Sequence, residues 1–311
     1  MKYLIGTRGS QLSIAQTNWV VSELKKKNPD SDYEIKTITT KGDTDARPLF
    51  TINQKGIFEK EIDKAVAEKQ VDFAVHSLKD VPSLLPDDLI LGCVPPREPF
   101  NDIFISKNGD TLDTIPEGAL IGTSSLRRAV QVSRKRPDLQ VKTIRGNVET
   151  RIKKVQDGIF DGIVLAQAGI NRLGVDVKHT PLSIIDFPPS PGQGALGIVC
   201  RKNDTQTISM LQKIQDDDSR MEVESERALS EFVDSGCRFP VGAFAKVNGE
   251  SLDLTVIAYS IDGKQALIVK KSGQKSNSYQ IGKEAADELQ QKGVNDLAKD
   301  WRAKLDEWNK T

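Results

Sequence analysis

The sequence predicts an α/β protein made of two hinged, doubly wound α/β units, followed by a small α+β unit with a three-stranded antiparallel sheet. Three observations carry this prediction. Short apolar runs alternate with amphipathic helical stretches as far as about Ser219. Two proline-rich segments, VPPREPFND at 94–102 and FPPSPGQG at 187–194, bracket one part of that alternation. Beyond Ser219 the alternation stops, and one helix, three strands and a last helix follow.

The apolar runs at 3–6, 33–39, 71–75, 89–94, 102–105, 120–122, 139–144 and 161–166 have the length and near-continuous hydrophobicity of buried strands. Between them lie helical stretches at 10–27, 57–68, 126–136 and 148–156, and a short one from Gln167. Strand–helix alternation of this kind predicts parallel sheets with helices on both faces. Proline fixes φ and restricts the residue before it, so the two proline-rich segments read as stiff connectors. Together they predict a middle domain, 97–192, inserted into a first domain of 1–96 plus 193–216. About 90 residues with their own βα pattern suffice for a separate core. The third domain, 217–311, starts with a helix over 221–233. Its three strands are joined at Asn248-Gly249 and Asp262-Gly263, both hairpin dipeptides, and a helix runs from about Gly282 to the C-terminus.

Composition narrows the function classes. Lys plus Arg and Asp plus Glu both number 44, so no global pull toward nucleic acid or an anionic membrane is expected. The opening MKYLIGTRGS is too short an apolar run for a signal peptide, and no stretch approaches a membrane span. The three cysteines show no disulfide spacing, and neither His76 nor His179 joins a metal-ligand cluster. A reduced, cytoplasmic, metal-free protein is expected.

The polar residues collect at predicted strand ends, where open α/β sheets bind ligands. Arg8 and Ser10 follow the first strand, and Lys41 and Asp43 the second. Ser77, Lys79 and Asp80 follow the third run; Thr123, Ser124 and Ser125 follow 120–122; Arg145 and Asn147 follow 139–144. Serine and asparagine there also serve as ordinary helix N-caps. Caps do not account for the arginines. Between Leu120 and Val155 stand ten Lys or Arg against two acids. Arg134, Lys135 and Arg136 close a helix and read as solvated surface. Arg127, Arg128, Arg145 and Arg151 stand at a strand end or in a first helical turn, where a cation opposes the helix dipole unless an anion is bound. They predict a polyanionic ligand. Asp80, an acid among these bases, is either the partner of Lys79 in a surface ion pair or a carboxylate that stabilises positive charge during reaction.

HSLKDVP at 76–82, GTSSLRR at 122–128, RGNVETR at 145–151, PGQGA at 191–195 and GCRFPVG at 236–242 together resemble porphobilinogen deaminase, the hydroxymethylbilane synthase family. GTRGS at 6–10 and KGIFEKE at 55–61 agree, so the resemblance spans nearly the whole chain.

The resemblance implies periplasmic-binding-protein-like α/β domains, a monomer of three domains, and a covalent dipyrromethane cofactor on Cys237 through a thioether. It implies stepwise head-to-tail condensation of four porphobilinogens with loss of ammonia, then hydrolytic release of hydroxymethylbilane. A thiolate suits the electrophilic azafulvene left when ammonia departs. By the same carry-over Asp80 binds pyrrole N–H groups and stabilises the cation, while Arg8, Arg127, Arg128, Arg145, Arg151 and Arg172 hold carboxylates. Ser10, Ser77, Lys79, Thr123, Ser125, Gly146, Asn147 and Gln193 line the cleft, and Lys55 guards its entrance. Porphobilinogen is the implied partner, and hand-over of product to the next enzyme of the pathway stays open.

Other classes compete. A non-enzymatic two-lobed anion-binding protein would use the same arginines without a cysteine adduct. A nucleic-acid binder lacks stacking platforms at 5% aromatic content. A thiol hydrolase would need a histidine beside Cys237.

Overall fold

The computed structural model describes residues 1–40, 59–233 and 240–297. Three sheets organise these residues. The first holds strands β1 (Lys2–Thr7), β2 (Asp32–Thr37), β3 (Phe73–Ser77), β4 (Leu89–Cys93) and β10 (Leu196–Arg201), in the order β2-β1-β3-β10-β4. The second holds β5 (Asp102–Ser106), β6 (Leu120–Gly122), β7 (Gln140–Lys142), β8 (Gly162–Ala166) and β9 (Thr180–Pro181), in the order β7-β6-β8-β5-β9. The third is the antiparallel β11 (Val241–Asn248), β12 (Ser251–Tyr259) and β13 (Ala266–Gln274).

Both larger sheets are mixed, where the alternation predicts parallel ones. β10 runs antiparallel to β3 and β4, and β5 runs antiparallel to β8 and β9. Each of these strands directly follows a proline-rich crossing between the two sheets, so it enters from the side opposite to a βα unit. A strand buried on both faces reads as a continuous apolar run in either direction, and periodicity cannot separate the cases.

Helices cover both faces of each larger sheet. α1 (Gln11–Lys27) and α6 (Thr205–Leu211) close the face bearing Ile5, Phe73, Val75 and Ile198. α2 (Lys60–Ala67) covers the opposite face, bearing Ala74 and Val199. In the second sheet, α3 (Leu126–Lys135) places Val132 against Phe104 and Ile121. On the other face α4 (Val148–Gln156) and α5 (Gln167–Leu173) bring Ile152, Val155 and Ile170 onto Ile103 and Ile163.

α7 (Asp217–Val233) begins earlier than the sequence predicts, because Asp217 and Asp218 favour the positive end of its dipole. It joins two cores: Val223 lies in that of the first sheet, and Leu229 in that of the third. α8 (Ser278–Gln291) buries Ile281, Ala285, Ala286 and Leu289 against the third sheet, and a short α9 (Val294–Leu297) follows. The last helix therefore ends at Gln291 rather than running on; Gly293, at φ +83°, breaks it.

Both hairpin dipeptides fall at turns, with Gly249 and Gly263 at φ +63° and +70°. The second hairpin docks on α3. Arg134 donates from Nη1 to the Gly263 carbonyl at 2.5 Å and stacks over the Tyr259 ring. The Arg134 expected as mere solvated surface thus joins two units.

Candidate functional site

β1, β3, β6, β7 and β8 all point their carboxyl ends at one cavity of about 860 Å³. β5 and β10 run the other way, so both begin near the same place: Asp102 starts β5 and bonds the lining residues Arg127, Arg128 and Gln193 from behind, and Gln193 lies in the crossing just ahead of β10. Antiparallel insertion thereby adds two side chains that a purely parallel sheet could not supply.

Fourteen of the expected residues line this cavity: Arg8, Ser10, Ser77, Lys79, Asp80, Ser125, Arg127, Arg128, Arg145, Gly146, Asn147, Arg151, Arg172 and Gln193. Thr123 does not. It is buried at 1% exposure, and its hydroxyl accepts a hydrogen bond from the Ser125 backbone N–H at 3.2 Å, which shapes the turn instead of meeting a ligand. Lys41, Asp43, Lys55 and Cys237 lie outside the described residues.

The small polar residues are both caps and lining. Ser10 caps α1 by accepting from Ser13 N at 3.2 Å, and Ser125 caps α3 by accepting from Arg128 N at 3.5 Å. Asn147 caps α4, its Oδ1 taking the Thr150 N–H at 3.0 Å and the Thr150 hydroxyl at 2.6 Å. Before it, Gly146 sits at φ +117°, and a Cβ there would lie 2.6 Å from the Thr150 methyl. Only glycine fits that approach. The Gly146 carbonyl accepts from Arg151 Nε at 2.7 Å, which aims that guanidinium.

Arg127 and Arg128 depart from expectation: both are 7% exposed and already share an acid. Arg127 Nη2 donates to Asp102 Oδ2 at 2.9 Å, and Arg128 Nη2 to Oδ1 at 2.7 Å. Gln193 Nε2 donates to the same Oδ1 at 2.8 Å, while its Oε1 accepts from Arg128 at 3.3 Å. Burial opposes ionisation of Asp102, yet the two guanidiniums overcome it and hold the carboxyl well below the usual carboxylate range. The sequence reading missed Asp102 because it sits inside an apolar strand run. An acid opening a buried strand was the available signal.

The remaining cations keep their charge facing the cavity. Arg172 donates from Nη2 to the Gly194 carbonyl at 2.6 Å. Burial lowers Arg151 and Arg172 to about 10, so both stay protonated at neutral pH; for Arg151 the neighbouring Arg128 and Arg145 add to the effect. Lys79 lines the cavity and is exposed to it, with the walls crowding around its ammonium. Desolvation, then the nearby Arg128, brings it down to about 8 against the opposing pull of Asp80 and Asp102. Asp80 is the one carboxylate among the described lining residues.

A dipyrromethane carrying acetate and propionate groups fits this donor set. Arg128 Nε is buried without a hydrogen-bond partner, a donor left for an incoming acceptor. Such a group would rest its carboxylates among Arg8, Arg128, Arg145, Arg151 and Arg172, and its pyrrole N–H groups near Asp80. His76 is committed elsewhere: buried, it meets Asp63 Oδ1 at 3.1 Å behind the cavity.

Comparison with known proteins agrees with this geometry. Residues 3–209 match the model for the porphobilinogen deaminase dipyromethane cofactor binding domain, and 220–291 that for the porphobilinogen deaminase C-terminal domain. A protein of Nitrosopumilus maritimus called probable porphobilinogen deaminase is 69% identical over 311 residues, covering 100% of both chains. The porphobilinogen deaminase of Lysinibacillus sphaericus is 42% identical, covering 98% of this chain and 99% of its own. Among solved structures, a probable amino-acid ABC transporter extracellular-binding protein of Bacillus subtilis is 11% identical, with a TM-score of 0.40 over 76% of this chain and 93% of that one. With two family models and full-length relatives in agreement, the chain belongs to the porphobilinogen deaminase family, the dipyrromethane-dependent hydroxymethylbilane synthases of tetrapyrrole biosynthesis.

Proposed function

We propose that this chain condenses four porphobilinogens head to tail on a dipyrromethane held by Cys237 and releases hydroxymethylbilane by hydrolysis, using the cavity above as its active site. The observation that carries this reading is Asp80, the single carboxylate among the described lining residues, set with six arginines and a lysine around a cavity large enough for a polycarboxylate. The bound dipyrromethane supplies the primer on which the chain of pyrroles grows. The protein's own residues do the rest. Arg8, Arg145, Arg151 and Arg172 hold acetate and propionate groups. Arg128 offers its Nε, and Asp102 fixes the Arg127–Arg128 pair. Asp80 accepts the pyrrole N–H and stabilises positive charge as ammonia leaves the substrate. Separate apolar cores for the three sheets support division into three domains, 1–96 with 193–216, 97–192 and 217–311. The same reading makes the protein a cytoplasmic monomer and leaves room for hand-over of its product to the next enzyme of the pathway. An anion-binding protein without chemistry would have no use for a lone acid in the cavity.

The arginines test this. Single substitutions of Arg128, Arg145 and Arg151 by Leu stall the protein at different numbers of added rings. Each lost charge-assisted contact is worth on the order of 1.5–3 kcal/mol, one to two decades in rate. Intact mass spectra of protein given limiting substrate reveal which partial adduct accumulates. Three variants with wild-type turnover would remove the cavity from the reaction.

Lys79 gives a pH signature. Its pKa of about 8 means that raising the pH through that value neutralises one cavity cation. Uptake of the cofactor by apo-protein therefore slows about 10-fold as the pH rises from below to above 8, by loss of one contact to an anion. Asp102, held well below the usual carboxylate range by Arg127 and Arg128, keeps its charge across this range. Arg in place of Lys79 stays charged, so Lys79→Arg protein loads at a rate flat through pH 8. A matching decline in that variant would assign the effect to the substrate.

A further inference from the structure

Two adjacent residues of α7 hold the chain on either side of Lys79–Asp80. Glu226, fully buried, accepts from Gly192 N at 2.6 Å, from Ala245 N at 2.8 Å, and from both Nη atoms of Arg97 at 2.8 and 3.0 Å. Gly192, at φ +74°, lies so close to the turn that a Cβ on it would sit 3.2 Å from Lys79 N. The segment behind Gly192 continues the grip, since Leu78 N donates to the Ala195 carbonyl at 3.0 Å. Glu226 thereby braces the turn from its amino side.

Arg227 braces it from the other side. Its guanidinium donates to three consecutive carbonyls: Nη1 to Val81 at 3.2 Å, and Nη2 to Pro82 at 2.8 Å and Ser83 at 2.9 Å. Those residues follow Asp80 directly. Pro82 has no N–H, and the loop it stiffens pairs with no strand among the described residues, so carbonyls there call for side-chain donors. A planar fork meets them with a geometry that an ammonium cannot copy. Asp80 itself ends a single 3₁₀ turn, Leu78–Asp80, whose closing bond is Val81 N to the Leu78 carbonyl at 3.1 Å. One turn held by one such bond does not fix a carboxylate alone; the clamp from α7 does. The same helix leads, past Val233, into the segment that contains Cys237.

We propose that Arg227 is a positioning residue for the reaction: by clamping Val81–Ser83 it sets where the Asp80 carboxylate stands, and it ties that position to the helix leading to the cofactor segment. The proposal rests on the role given to Asp80 under the proposed function and extends it to a residue that never reaches the cavity. A clamp that merely joined the third unit to the first would change stability, and its effect on rate would be independent of Asp80.

A double-mutant cycle separates the two. Single-turnover ammonia release is measured for wild type, Arg227→Met, Asp80→Asn and the double variant, each normalised to the fraction carrying the adduct by intact mass. Misplacing a reacting group by a fraction of an ångström costs about 10-fold or more, so Arg227→Met slows release about 10-fold with KM within about 2-fold. In the Asp80→Asn background the same change costs less than about 2-fold, because the group it positions is gone. Arg227→Lys recovers part of the rate. Should Arg227→Met not fold, Arg227→Gln passes through the same cycle. Wild-type release by the Arg227 variant beside a slow Asp80→Asn, or losses that multiply in the double variant, overturns the proposal. Wild-type release by Asp80→Asn would instead remove the role of Asp80 itself, and the proposal with it.

Discussion

Asp80→Asn lowers turnover about 10²–10³-fold while leaving the fold and the arginine cavity in place, the loss measured when a preorganised electrostatic group is removed from an active site. The amide keeps the shape of the carboxylate and can still accept a pyrrole N–H through its oxygen, so positioning alone survives the change. What disappears is the one negative charge among the described lining residues, in a cavity walled by arginines. That charge cannot serve to hold an anionic chain, which it repels. Its use is toward a cation, and the cation in this reaction forms on the substrate as ammonia leaves. The turn bearing Asp80 is braced on both sides, by the Leu78–Ala195 backbone bond and by Arg227, so the substitution has little room to displace its neighbours. Rapid mixing of cofactor-loaded Asp80→Asn protein with one equivalent of porphobilinogen separates binding from ammonia release. Near-normal binding with release slowed by two to three decades is the expected record. Ammonia release at the wild-type rate would return Asp80 to an ion pair with Lys79.

The three-unit architecture and most of the cavity were legible in the sequence for a physical reason. Strand ends that feed helix N-termini must carry caps, and Ser10, Ser125 and Asn147 marked those ends by their residue type. Capping does not account for arginines at the same ends, which made Arg145 and Arg151 conspicuous. Strand direction was hidden, because β5 and β10 are buried on both faces and their apolar runs carry no sign of orientation. That omission concealed Asp102 and the reason for Gln193. Gln193 lines the cavity and Asp102 bonds its arginines from behind only because antiparallel strands begin where the parallel ones end. It also left Arg127 and Arg128 looking free, when a fully buried carboxylate already divides their charge. Arg227 was hidden differently. It lies far from Val81–Ser83 along the chain, and no local spacing links the two.

Cys237→Ala gives a folded protein that carries no adduct and turns over no substrate, a loss of at least about 10³-fold, since covalent attachment has no fallback among the other thiols. Only a thiolate attacks an electrophilic carbon at a useful rate. Cys93, in β4, and Cys200, in β10, are each 0% exposed. Burial pushes their thiols up to about 12 and about 11. At pH 7 a thiol of pKa 11 is thiolate to the extent of about one part in 10⁴. The third cysteine is differently placed in the chain. Cys237 itself lies outside the described residues, but both flanks of its segment are held beside the cavity's connecting strands. Before it, α7 carries Glu226 and its bond to Gly192. After it, Ala243 N, in β11, donates to the Pro189 carbonyl at 2.9 Å. The described residues on either side of Cys237 in the chain are thus tied to the crossing at 187–194, which borders the cavity. Thermal unfolding of the variant follows that of wild-type apo-protein, which separates loss of the adduct from loss of the fold. Intact mass of the denatured proteins, followed by peptide mapping, decides the matter. A dipyrromethane-sized increment on wild type, absent from Cys237→Ala and mapping to the peptide containing residue 237, is the expected result. The same increment on the variant, or one mapped to Cys93 or Cys200, would mean that the core opens far enough to ionise a buried thiol and that the attachment point is there.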